Sequence, residues 1–171
     1  MKQVNLFLDM DGTLAKFYAN PNYLEKMYEQ GYFENLKPYA IVDTIKEIIK
    51  EMPVVNVYIL TACVDTDYCE EEKDKWLDRY LPELPLDHRL YLKVGENKTQ
   101  LAELVAHKDA INLLLDDYGL NLEQWEEKGW TAIKFINGIN NKKGKEYKYT
   151  VKGGKQLKEL ITKIVLKGGA I

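Results

Sequence analysis

The sequence predicts an α/β protein built on a parallel β-sheet with helices on both faces, and three observations lead there. Short runs rich in aliphatic and β-branched residues recur along the chain: Val4–Leu8, Val54–Leu60, Leu90–Val94, Ile111–Leu115 and Thr131–Ile136. Between them stand segments whose apolar residues return at helical spacing. The chain has 171 residues, the length of one compact domain with room for a small insertion, so residues 1–171 read as a single unit. Strands that alternate with helices imply a parallel sheet covered on both faces.

Val4–Leu8 is the first buried strand, and Gly12-Thr13 turns the chain after it. Residues 16–38 have a different texture. Phe17, Tyr18, Tyr23, Tyr28, Tyr32 and Phe33 are interrupted by Pro21 and Gly31, which suggests a small helical insertion with aromatic faces. Ile41, Val42, Ile45, Ile48, Ile49 and Met52 then mark an amphipathic helix leading into the strand Val54–Leu60. In Asp67–Leu81, Cys69, Trp76, Leu77, Tyr80 and Leu81 can share one helix face, and Pro82 and Pro85 end that helix. Thr99–Ala106 and Leu122–Lys128 are further helices. Asn137–Lys145 reads as a loop, and Tyr147–Val151 as a returning edge strand. Leu157, Leu160, Ile161, Ile164 and Val165 mark a last amphipathic helix.

The formal net charge is -3, from 24 basic and 27 acidic residues. That balance argues against a nucleic-acid polymer as partner, which demands a basic excess on one face. A small phosphorylated ligand needs only a local positive site. The apolar runs are too short to span a bilayer, and the N-terminus lacks the apolar region and cleavage site of a signal peptide. Cys63 and Cys69 are the only cysteines, and neither they nor His88 and His107 have zinc-site spacing. Free thiols in a reducing cytoplasm are the expectation.

In an open parallel sheet, ligands bind at the carboxyl ends of the strands. The polar residues that follow the apolar runs are Asp9 and Asp11, Thr61, and Asp116 with Asp117. Residues two apart on an extended chain point the same way, so Asp9 and Asp11 can face one substrate. Gly12 lets the chain turn sharply behind them. Carboxylates gathered at a strand end repel one another and need a cation. Oxygen donors without His or Cys favour Mg²⁺. Taken alone, Asp9-Met10-Asp11-Gly12-Thr13 fits a solvated turn or a calcium loop, Asp116-Asp117 a helix cap, Thr61 an ordinary strand residue and Lys98 a surface lysine. Their joint order along the chain gives them weight.

That order (Asp9-x-Asp11-Gly12-Thr13, an apolar run ending in Thr61, Lys98 before a helix, then Asp116-Asp117) resembles the four signature motifs of the haloacid dehalogenase superfamily. The resemblance spans residues 5–137. It implies a three-layer Rossmann-like fold with a small helical cap, at about residues 16–38, inserted after the first strand. It also implies phosphoryl transfer through an aspartyl-phosphate. On this resemblance Asp9 is the nucleophile and Asp11 the general acid and base. Thr61, Ala62 and backbone N–H groups bind the phosphoryl oxygens, and Lys98 offsets their charge. Mg²⁺ is held by Asp9, by Asp116 and by the backbone carbonyl of Asp11, with Asp117 supporting the metal waters or Lys98.

Within the superfamily the chain is similar to the 5'(3')-deoxyribonucleotidase family. The matching segments are Asp9–Ala15 with Phe17 close behind, Tyr32–Pro38, Glu72-Lys73-Asp74-Lys75-Trp76 and Asn97-Lys98-Thr99. It departs from that family where Thr61 is followed by Ala62 and Cys63 in place of Thr-Ser, and in its short cap. The expectation is a Mg²⁺-dependent phosphatase of nucleoside 5'-monophosphates, with Phe17 and Phe33 stacking on the base. A homodimer is compatible with this reading. The competing expectations are a phosphatase of sugar phosphates or other small metabolites, and a non-catalytic binding protein that keeps the fold. The intact Asp9, Asp11, Lys98 and Asp116 set argues against the last.

Overall fold

The computed structural model describes residues 2–139 and 145–168. The central part of the expected loop Asn137–Lys145 lies outside these. The strands are β1 (Val4–Leu8), β2 (Val55–Cys63), β3 (Arg89–Lys93), β4 (Ile111–Asp116), β5 (Thr131–Phe135) and β6 (Tyr149–Val151). They form one sheet in the order β3-β2-β1-β4-β5-β6, and every pairing is parallel. The helices are α1 (Tyr23–Lys26), α2 (Ile41–Glu51), α3 (Cys69–Tyr80), α4 (Lys98–Glu103), α5 (Gly119–Glu127) and α6 (Gly154–Leu166).

All five residues of β1 are buried. A central strand covered on both faces has no solvent side, so its sequence is a continuous apolar run and not an alternation. Val4, Leu6 and Leu8 face a layer made by α2, α3 and α6. Phe7 faces the other way, onto Tyr58, Leu114 and Trp125, beneath α4 and α5. The three-layer α/β expectation therefore holds. Asn5 is the polar member of β1. Its register neighbours are Asn56 and Asn112, and the three amides bond across the strands at 2.9 and 3.1 Å. A buried amide costs little when its partners are supplied in this way.

Two elements differ from the sequence reading. β2 runs to Cys63, past Leu60, because Thr61, Ala62 and Cys63 pair with Tyr91, Leu92 and Lys93 of β3. The segment 16–38 contains little helix: a 3₁₀ turn at Phe17–Ala19 and the four-residue α1. It is closed at its base, where Ala15 pairs with Pro38 and Lys16 N–H donates to the Lys37 carbonyl at 2.8 Å. Its inner side is an aromatic cluster in which the Phe17 and Phe33 rings stack at 6.2 Å.

The strand order places the topological switch beside β1. From β1 the chain builds outward through β2 and β3, then returns to β4 on the other side. The crevice at such a point, beyond the carboxyl ends, is where this architecture binds ligands.

Candidate active site

Leu8 of β1 is in register with Leu115 of β4, and Asp9 N–H donates to the Leu115 carbonyl at 2.9 Å. The next residues on the two strands, Asp9 and Asp116, are thereby forced together at the switch point. Asp117 follows one step later. One carboxylate oxygen from each of Asp9, Asp116 and Asp117 lies within 4.8 Å of the others, and all three residues are buried. Lys98, the first residue of α4, reaches in from the next layer. Its ammonium donates to Asp9 Oδ1 at 2.5 Å and to Asp116 Oδ2 at 2.8 Å. Asn97 caps this short helix by accepting from Thr99 N–H at 2.9 Å, which fixes where Lys98 starts its reach.

Asp116 is held further by Tyr118 N–H at 2.7 Å and by the Asn121 amide at 2.9 Å. Asp117 accepts from the Asn137 amide at 2.8 Å. Gly12 has φ +81°, and a Cβ there would lie 2.5 Å from the Tyr18 ring and 2.6 Å from Asp117 Oδ2. Both the left-handed turn and the close approach require glycine.

Asp11 lies apart from the carboxylate cluster. Its Oδ2 accepts from Lys73 of α3 at 2.6 Å. The same ammonium donates to Thr61 Oγ1 at 2.8 Å and to the Ala62 carbonyl at 2.6 Å. Thr61 is thus beside Asp11, at the end of β2. A cavity of about 330 Å³ opens over the site, and its lining includes Asp9, Asp11, Tyr18, Ala62, Lys98 and Asp117 as well as Glu96, Tyr118, Asn121 and Gln124.

Burial dominates the electrostatics. It pushes Asp9 up to about 8 against the pull of Lys98, and the charges of Asp116, Asp117 and Asp11 add to the rise. It also pushes Asp117 up to about 7, with Asp116 adding to the effect. Lys98 moves the other way from what burial alone dictates, because Asp116 and Asp9 hold its proton. Burial, with Asp117 and Asp9 close by, raises the Tyr18 phenol. Lys98 bonds two of the three carboxylates, and Lys134, donating to the Asp117 backbone carbonyl, acts on the third, so two lysines against three buried carboxylates leave a deficit of positive charge. Burial of such a group is tolerated only when a cation or a proton offsets it.

The structure therefore brings together Asp9, Lys98, Asp116 and Asp117, with Asp11, Thr61 and Ala62 alongside. Three of the expected placements compare with it as follows. Phe17 and Phe33 do not line the cavity. Phe33 is 1% exposed and packs under the Lys73 ammonium, 4.8 Å from its ring centre. A purely apolar ring gains more in the core than at a wet wall, whereas Tyr18 and Tyr118, each with a polar end, stand at the wall. Asp117, expected to support the metal waters or Lys98, stands within the carboxylate cluster and accepts from the Asn137 amide. The Asp11 side chain belongs to Lys73. Sequence reading gave no site role to Lys73, Tyr18, Asn121 or Asn137. Lys73 left a signal in the Glu72-Lys73-Asp74-Lys75-Trp76 segment, as a charge set among Cys69, Trp76 and Leu77 on the buried face of α3.

No protein-family model matches this chain, and no curated protein matches it significantly. Solved structures do. A haloacid dehalogenase-like family hydrolase from Xanthomonas campestris superposes with a TM-score of 0.64 at 10% identity, over 98% of this chain and 94% of that one. The L-2-haloacid dehalogenase of Xanthobacter autotrophicus gives 0.63 at 9% identity, over 94% and 98%. The HAD domain of the effector protein Lem4 from Legionella pneumophila gives 0.51 at 16% identity, over 94% of both chains. Identities this low speak for architecture alone. No helix among the described residues is long and apolar enough to cross a membrane. On sheet order, layering and superposition, this chain has the fold of the haloacid dehalogenase-like hydrolases.

Proposed function

We propose that this protein is a Mg²⁺-dependent phosphomonoesterase that works through an aspartyl-phosphate on Asp9. The observation that carries the proposal is the gathering of Asp9, Lys98 and Asp116 at the switch point, with Asp11 on the same cavity. The donor set fits the metal: three buried carboxylates, no His or Cys, and too little positive charge from Lys98 and Lys134. Asp9 and Asp116 would hold the ion, with Asp117 the third carboxylate in reach and the Asp11 carbonyl the ligand that the family resemblance adds. When bound, Mg²⁺ offsets the charge of carboxylates and phosphoryl oxygens.

The protein's own residues then have defined tasks. An Asp9 oxygen attacks phosphorus while the bridging P–O bond breaks, and Asp11 gives its proton to the departing ester oxygen. Water then attacks phosphorus, passes its proton to Asp11, and the Asp9–phosphorus bond breaks to release phosphate. Lys98, Thr61 and the backbone at Ala62 position the phosphoryl oxygens. Most of the rate gain in such a site is positioning and charge stabilisation.

The substrate is a small phosphate monoester. Nucleoside 5'-monophosphates are the class we place first, with Tyr18 and Tyr118 taking the stacking role foreseen for Phe17 and Phe33. A second reading, sugar phosphates, is favoured by the polar side chains of Glu96, Asn121 and Gln124 in the cavity lining, which suit a hydroxyl-rich leaving group. A screen of phosphate monoesters with Mg²⁺ and with EDTA tests both. We expect turnover with Mg²⁺ only, faster on deoxynucleoside monophosphates than on hexose phosphates, and none in a folded Asp9→Asn protein. Activity surviving Asp9→Asn would sink the mechanism. A preference for hexose phosphates would select the second reading.

A further inference from the structure

Lys73 is a buried cation beside the cavity residues Asp11 and Ala62 that the proposed mechanism does not use. It is fully buried, on the sheet-facing side of α3. An ammonium has three N–H bonds, and Lys73 has three oxygen acceptors: Asp11 Oδ2, Thr61 Oγ1 and the Ala62 carbonyl, at 2.6, 2.8 and 2.6 Å. With these in place it has no donor left for a substrate. The neighbouring residue is tied down as well. Buried Glu72 accepts from the backbone N–H of Gly31 and from that of Phe33, so the first turns of α3 are fastened to the insertion above.

The effect on Asp11 is specific. One oxygen, Oδ2, is committed to Lys73. The other, Oδ1, is buried without a hydrogen-bond partner among the described residues, on a residue that lines the cavity. A buried carboxyl oxygen without a partner is costly unless something at the site uses it. Thr61 is oriented by the same contact: its oxygen accepts from Lys73, which leaves its own O–H to donate elsewhere.

We infer that Lys73 is a positioning residue, which holds Asp11 so that Oδ1 serves the leaving oxygen and aims the Thr61 hydroxyl at the phosphoryl group. This rests on the phosphomonoesterase reading above. It assigns Lys73 a part in leaving-group protonation and none in substrate binding.

The test compares two esters. The p-nitrophenyl leaving group departs without a proton, whereas glycerol 2-phosphate must expel an alkoxide unless Asp11 protonates it. Lys73→Met keeps the stem and removes the ammonium. In a folded Lys73→Met protein with Mg²⁺, we expect kcat on glycerol 2-phosphate to fall about 100-fold or more, the range of general acid–base catalysis. Release of p-nitrophenolate in the first turnover should fall less than about 10-fold, with KM little changed on either ester. If Lys73→Met does not fold, Lys73→Gln, which keeps two donors, is judged by the same ratio. Equal losses on both esters, no loss on either, or a loss confined to KM would overturn the inference. Wild-type enzyme is run beside the variants. If it hydrolyses neither ester, the phosphomonoesterase reading itself fails and this inference goes with it. If it is active while the variants show no split, only the role of Lys73 fails.

Discussion

Lys98→Met should leave the metal-free protein folded but markedly weakened, and the loss can be worked out from the contacts. Methionine keeps the length of the stem and its packing, so the change is mainly the loss of the ammonium. Among the described residues, no other ammonium is bonded to Asp9 or Asp116. Leaving a buried charge without its partner costs about 3–5 kcal/mol. The cost has a ceiling, because a carboxyl can take up a proton instead. Keeping an ordinary carboxyl protonated at pH 7.5 costs about 5 kcal/mol, from a reference near 3.9 at about 1.36 kcal/mol per pH unit. The two routes agree, so a loss of about 3–5 kcal/mol is expected. In a chain of this size that lowers Tm by roughly 6–20 °C. Thermal melts in EDTA at pH 7.5 measure it. The deficit should shrink by more than about 2 kcal/mol at pH 5.5, where protonation is easier by two pH units. Saturating Mg²⁺ should also reduce it. A Lys98→Met protein that melts within about 2 °C of wild type in EDTA at pH 7.5 would refute the view that this lysine holds the carboxylates together.

Two further outcomes follow from the same contacts. Asp9 and Asp117, raised to about 8 and about 7, are protonated in the folded protein over a range where the unfolded chain has lost those protons. Their contribution is complete below the ordinary carboxyl value and is lost as pH rises through 7 and 8. The metal-free Tm should therefore fall between pH 5.5 and 8.5, by an amount on the order of 1 kcal/mol per group per pH unit at most, while stabilisation by Mg²⁺ grows over the same range. A metal-free Tm that rises across it would contradict the assignment. Far from the site, Gly154 opens α6 against α2, and a Cβ there would lie 1.7 Å from Thr44 Oγ1 and 2.6 Å from Thr44 Cβ. Gly154→Ala should cost about 1–3 kcal/mol as overpacking, read by urea melts, and Thr44→Gly should restore more of it than Thr44→Ala because the Cβ itself is in the way.

The acids of the site were legible because their cause is local. A polar residue that follows a buried apolar run lies near the sheet's carboxyl edge whatever the helices do, so Asp9, Asp11, Thr61 and Asp116 could be placed together from the runs before them. The partners of these acids were harder, because they depend on which helix face meets the sheet. Lys73 sits among Cys69, Trp76 and Leu77 on α3, yet a lysine counts as solvated until an acceptor set is known to wait for it. Asn137 lies beyond β5 and finds Asp117 only through the pairing of β4 with β5. The aromatic insertion was misread for a related reason. Six aromatic residues in about twenty indicate a cluster, but not which rings close upon themselves. Phe17 and Phe33 stack on each other, and Tyr18 stands at the wall.

The two lysines explain how two aspartates only two residues apart can take different tasks. On an extended strand both carboxylates point toward the same crevice, and their charges disfavour each other. Helices from both layers approach the carboxyl end of β1. Lys98 arrives on α4 from one layer and Lys73 on α3 from the other. Each aspartate is drawn to its own cation. Asp9 shares Lys98 with Asp116, which keeps it in the carboxylate cluster, the position proposed for the nucleophile. Asp11 shares Lys73 with Thr61, which withdraws it from the cluster and leaves Oδ1 without a partner among the described residues, open to the proton transfer proposed for it. Different environments acting on paired carboxyl groups are a general way of separating nucleophile from acid. Here the separation follows from the strand order, because a strand at the switch point has both helical layers within a lysine's reach.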